Sequence, residues 1–159
     1  MIDNSDLQRK IEIRQKGLSL IRADKILTCD LFAGEGFITD LLWRHVSEKV
    51  VAFERINGKF LLNYKNVSLI ESDNKDANFA DFNIFDADSY GLVFPIIEKL
   101  CNLKGERLIC FTEFNPIGHK KWDWVTQYIN NITMFDPTAF FIEKSKKSPV
   151  LYGYIYFNK

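Results

Sequence analysis

Four short apolar runs in this chain each end in residues able to hold a polar ligand. The first ends in Asp30-Leu31-Phe32-Ala33-Gly34-Glu35-Gly36-Phe37. Glycines let the backbone turn tightly and approach a ligand closely. A helix beginning at Phe37 would aim its N-terminal amides at the bound group. The second run ends in Glu54; an ionised carboxylate takes two donors, which suits the paired hydroxyls of a ribose. The third ends in Glu71-Ser72-Asp73-Asn74, where an acid or amide can accept an adenine amino group. The fourth, Asp86-Ala87-Asp88-Ser89-Tyr90-Gly91, is rich in acceptors. A lone G-x-G is weak evidence. Four strand ends in order, each suited to one part of an adenosyl ligand, are stronger.

These ends need a scaffold that brings them to one edge. Lys25 to Phe32, Lys49 to Glu54, Val67 to Glu71, Phe82 to Ala87 and Arg107 to Phe114 read as strands. Asp3 to Ser5 offers a cap for a helix from Leu7 to Ile21, where Leu7, Ile11, Leu18 and Ile21 recur at helical spacing. Further helices are expected at Phe37 to Val46, Lys59 to Tyr64, Lys75 to Ala80, Leu92 to Leu100 and Trp122 to Asn131. Strands alternating with helices predict a parallel sheet covered on both faces. Ala139 to Glu143 and Val150 to Phe157 leave room only for a loop, so they predict an antiparallel hairpin. The expected fold is α/β: a three-layer Rossmann-like sheet of seven strands, mostly parallel, with a C-terminal hairpin. A length of 159 residues fits one domain, residues 1–24 forming the N-terminal helix and 25–159 the ligand-binding core.

The order of elements resembles the class I S-adenosylmethionine-dependent methyltransferases, over about Lys25 to Phe157. Asp-Leu-Phe-Ala-Gly-Glu-Gly looks like the family's first motif, in the variant with Phe32 where many members have glycine. That variant is common among nucleic-acid base methyltransferases. The resemblance implies S-adenosyl-L-methionine as cofactor. Asp30, with the backbone from Phe32 and Ala33 through Gly34 and Gly36, would hold the methionine end. Glu54 would hold the ribose, Asp73 and Asn74 the adenine edge, and Arg55 or Ile56 would flank the ring. Asp86 would lie near the amino group or the target.

The fourth motif bears on the acceptor. It has neither the Asn/Asp-Pro-Pro-Tyr/Phe of amino-methylating DNA enzymes nor the Pro-Cys of cytosine-C5 enzymes. Asp86 to Gly91 looks like the Asp-x-Asp-Pro-Phe-Gly of tRNA guanine-N2 methyltransferases, with Ser89 for Pro and Tyr90 for Phe. On that resemblance Asp86 or Asp88 would accept a proton from an exocyclic amine, and Tyr90 would stack on a base. RNA is then favoured over DNA as substrate. Charges balance at 21 basic and 21 acidic residues, so an RNA contact needs a local patch. Candidates are His119, Lys120 and Lys121 beside Trp122 and Trp124, the loop Lys144 to Lys147, and Arg9, Lys10, Arg14 and Lys16 on the first helix. Solvated loops are the plainer reading of these lysines. A small-molecule or protein methyltransferase, and a cofactor-binding subunit that needs a partner, are the alternatives. Cys29, Cys101 and Cys110 show no metal or disulfide spacing and read as buried thiols. The polar N-terminus is expected to carry no leader or spanning helix, which points to the cytoplasm.

Overall fold

The computed structural model describes residues 6–74, 77–115, 124–146 and 148–159. The expected cap at Asp3 to Ser5, and His119, Lys120, Lys121, Trp122 and Lys147, lie outside these residues. The strands are β1 (Leu27–Asp30), β2 (Lys49–Phe53), β3 (Val67–Ile70), β4 (Ile84–Asp88), β5 (Glu106–Phe114), β6 (Ala139–Lys144) and β7 (Val150–Asn158). They form one sheet in the order β3-β2-β1-β4-β5-β7-β6. Strands β1 to β5 pair in parallel, and β7 runs antiparallel between β5 and β6. The expected mostly parallel sheet with a terminal hairpin is therefore the observed one.

Side chains alternate across the sheet and divide it into two cores. One face packs Cys29, Phe85, Ala87, Ile109 and Phe111 against helices α3 (Phe94–Cys101) and α4 (Trp124–Thr133). Trp124 is buried there. The other face packs Val50, Ile84, Leu108 and Cys110 against helix α1 (Leu7–Leu18) and the helical stretch 37–46. Within that stretch the backbone is π-helical at Thr39–Trp43 and becomes α2 at Arg44–Val46. The three cysteines are free and buried. Burial pushes their thiols up, Cys101 to about 12, so they stay protonated and structural.

One expected helix is absent. Lys59 to Tyr64 runs irregularly. Phe60 is buried while Leu61 is exposed, so the apolar residues serve separate contacts rather than one helical face. Residues 77–80 of the expected Lys75 to Ala80 helix are likewise non-helical. Phe79 instead packs edge-on against Phe85.

Candidate functional site

The glycine turn is fixed from both neighbouring strands. The Leu31 amide donates to the Asp86 carbonyl at 2.8 Å, and the Ala33 amide to the Phe53 carbonyl at 3.0 Å. Gly34 and Gly36 then take φ of 57° and 90°, a region that disfavours side chains. A Cβ on Gly36 would lie 2.8 Å from Leu62 and 3.0 Å from Phe60. The irregular Lys59 to Tyr64 segment thus braces the turn from behind. Gly34 is different: the nearest atoms to a Cβ there are 4.0 Å away, on Lys59.

Glu54 joins this turn to the end of β2. Its Oε2 accepts the Gly34 amide at 2.9 Å and its Oε1 the Ile56 amide at 2.8 Å. Asn74 ties the end of β3 to the same turn, its Nδ2 donating to the Leu31 carbonyl at 2.7 Å. Between these loops lies a cavity of about 340 Å³. Its wall includes every cofactor residue expected from the sequence except Gly36 and Asp86: Asp30, Phe32, Ala33, Gly34, Glu54, Arg55, Asp73 and Asn74. Ile56, Asp88 and Tyr90 also line it.

Under α1 the acids meet cations. Asp30 and Asp86 are register partners on adjacent strands and share one face, as do Asp88 and Thr112. Two carboxylates side by side in a buried layer repel each other. Arg14, fully buried, answers with a two-pronged pair to Asp86: Nε to Oδ2 at 2.8 Å and Nη2 to Oδ1 at 2.6 Å. Burial opposes the Arg14 charge, but Asp86 outweighs it and the guanidinium stays protonated. The Trp43 indole also donates to Asp86. Asp86 is therefore enclosed beneath the cavity rather than presented to it.

Among the described residues, no cation pairs directly with Asp30 in this way. Burial and the neighbouring Asp86 hold its carboxyl above the usual range, partly offset by the Thr39 hydroxyl at 2.6 Å. Asp88 pairs with Lys10 at 2.9 Å. Burial raises it, but Arg14 and Lys10 more than compensate and hold it below the usual range.

Lys10 and Arg14 are thus the residues whose role the sequence reading missed. Arg14 is withdrawn from any nucleic-acid surface because it is buried. Arg9 pairs with Glu12 and Glu143, and Lys16 lies 5.4 Å from the centre of the Phe141 ring. A signal was present: Arg14 fills the gap in the stripe Leu7, Ile11, Leu18 and Ile21, on the face of the helix that must be buried. Lys144 and Lys146 are exposed at the hairpin loop. Among the described residues no group of histidines, cysteines and acids is arranged to hold a metal, and no helix is long and apolar enough to cross a membrane.

The fold recurs in solved structures. A Streptococcus mutans protein described as a methyltransferase and solved with S-adenosylhomocysteine superposes with a TM-score of 0.65 at 20% identity, over 93% of this chain and 97% of that one. The N-methyltransferase NodS of Bradyrhizobium japonicum gives 0.69 at 12% identity, covering all of both chains. The fold is that of the class I methyltransferases. The plantazolicin methyltransferase BpumL, solved with a monoazolic desmethylPZN analogue and S-adenosylhomocysteine, gives 0.68 at 12% identity, over 96% of this chain and 83% of that one. No protein-family model and no curated protein sequence matches the chain.

Proposed function

We propose that the chain is an S-adenosylmethionine-dependent methyltransferase. The observation that carries this reading is the Glu54 joint. One carboxylate holds the amides of two of the loops that border the cavity, yet each oxygen has lone-pair capacity left for a ribose hydroxyl. The surrounding groups suit the rest of the molecule. Asp30 is a buried carboxyl with no direct cation among the described residues, so a cofactor amino group beside it would supply a compensating charge. Asp73 and Asn74 offer polar groups for the adenine edge, with Arg55 and Ile56 beside the ring. The cavity is within the usual size of ligand pockets, about 300–1,000 Å³.

Bound there, S-adenosylmethionine supplies an electrophilic methyl group on a sulfonium. The chain's task is to hold the acceptor in line with that methyl and to take up a proton. Asp88 and Tyr90 stand on the cavity wall for these tasks. Asp86 acts through Arg14 as a positioning residue that seats α1 over the site.

The neighbours named above include an N-methyltransferase and a methyltransferase solved with a monoazolic analogue, which favours a small acceptor. A nucleic-acid base is the second reading: Asp86 to Gly91 resembles the tRNA guanine-N2 motif, and Tyr90 is exposed at the rim. Methyl-labelled cofactor, offered with a metabolite extract, total RNA and total protein in separate reactions, tests the class. Label in the metabolite fraction is expected. Label in RNA alone would establish the second reading. Cofactor binding with no label anywhere would make the chain a cofactor-binding subunit.

A further inference from the structure

Beside the main cavity lies a second one of about 130 Å³, and the two share Lys10, Asp88, Ser89 and Tyr90. Phe114, Val150 and Tyr152 supply apolar walls. Almost every polar side chain lining it already has a partner. Lys10 pairs with Asp88, Tyr152 with Asp6, Ser89 with the Gly91 amide, and Ser148 with Ser145. The exception among the described residues is Thr112. Its hydroxyl is buried and has no hydrogen bond of good geometry, though it faces Asp88 from the next strand. Leaning on Asp88, which it helps keep ionised, this hydroxyl still has oxygen lone pairs open to a donor from outside.

We propose that this cavity receives the methyl acceptor as a small molecule with one aromatic ring bearing a hydroxyl or amino group. The proposal rests on the cofactor reading above. Size argues for one ring: an engineered apolar cavity of about 150 Å³ holds benzene, and this one has about 130 Å³. Chemistry argues for a single polar substituent, because the walls offer one open hydroxyl, Thr112, beside one carboxylate, Asp88. Thr112 fixes the substituent. In the transfer, the acceptor heteroatom's lone pair forms the bond to the methyl carbon. The carbon–sulfur bonding pair returns to sulfur, and the acceptor's proton passes to Asp88. Lys10 holds that carboxylate at the junction of the two cavities.

Ligand-observed NMR with phenol and with toluene as probes, on the full chain with and without S-adenosylhomocysteine, tests this. Phenol is expected to bind and to compete with neither the cofactor product nor RNA. Thr112→Val should weaken phenol about 5-fold and leave toluene unchanged. Val150→Trp should abolish binding of both while S-adenosylhomocysteine affinity stays at the wild-type value. If Val150→Trp fails to fold, the Thr112→Val contrast decides alone. A chain that binds S-adenosylhomocysteine but not phenol would overturn the acceptor proposal and leave the cofactor reading standing. Displacement of phenol by a mixed-sequence RNA oligonucleotide would overturn it in favour of a nucleobase. Failure to bind S-adenosylhomocysteine would overturn both.

Discussion

Glu54 and Asp86 look alike in the sequence: each is an acid where an apolar strand meets its loop. In the structure they do opposite things. Glu54 stands on the cavity wall, held by two backbone amides that keep it oriented and leave it capacity to accept more. Asp86 is sealed below the wall, held by Arg14 and Trp43. The difference is one of neighbours. Glu54 lies just past β2, where backbone amides are available. Asp86 lies inside β4 beside Asp30, where an uncompensated second charge would be intolerable. The first region is built to exchange partners, and the second to keep them.

The comparison breaks most sharply at Arg14. Arg14→Met leaves Asp86 buried without its cation and should cost about 3–5 kcal/mol in urea unfolding. The double variant with Asp86→Leu should recover most of that loss. A loss below about 1 kcal/mol in the single variant would show that Asp86 is not held as described. Next comes the turn. Gly36→Val meets both a positive φ and the packed Leu62 and Phe60, and should cost about 2–4 kcal/mol. Gly34→Ala meets only the φ and should cost about 1 kcal/mol. Equal costs at the two glycines would remove the bracing role of Lys59 to Tyr64.

The smallest effect is at Asp30. Its folded pKa is raised, by burial first and by Asp86 second. Its contribution to stability is therefore full below the unfolded value of about 4 and is lost as pH rises through the raised folded value. Asp30→Asn escapes that loss. It should match the wild type near pH 4 and exceed it by about 1 kcal/mol at pH 8, while binding the cofactor product more weakly. A variant less stable than wild type at pH 8 would show that the Asp30 charge is compensated within the fold.

The sheet was legible because short continuous apolar runs and glycine punctuation are local signals, and central parallel strands are buried on both faces. The lining of the cavity was legible where its residues follow within a few positions of a strand end, as at Gly34, Glu54 and Asn74. Lys59 to Tyr64 misled because its apolar residues brace a distant turn, a tertiary demand that overrides local spacing. The role of Asp86 was hidden for a related reason. Its partner lies 72 residues earlier, on a helix whose position no local pattern specifies. Only the misplaced charge of Arg14 within an apolar stripe hinted that the helix carries a buried cation.

The central claim is that the cavity bounded by the glycine turn and Glu54 binds an adenosyl cofactor. Isothermal titration with S-adenosylhomocysteine tests it most directly, on the wild type and on Glu54→Ala. The account predicts one site in the wild type and at least tenfold weaker binding in the variant, a loss of about 1.4 kcal/mol or more, with the variant still folded by circular dichroism. No binding to the wild type, or equal affinity in both proteins, would contradict it.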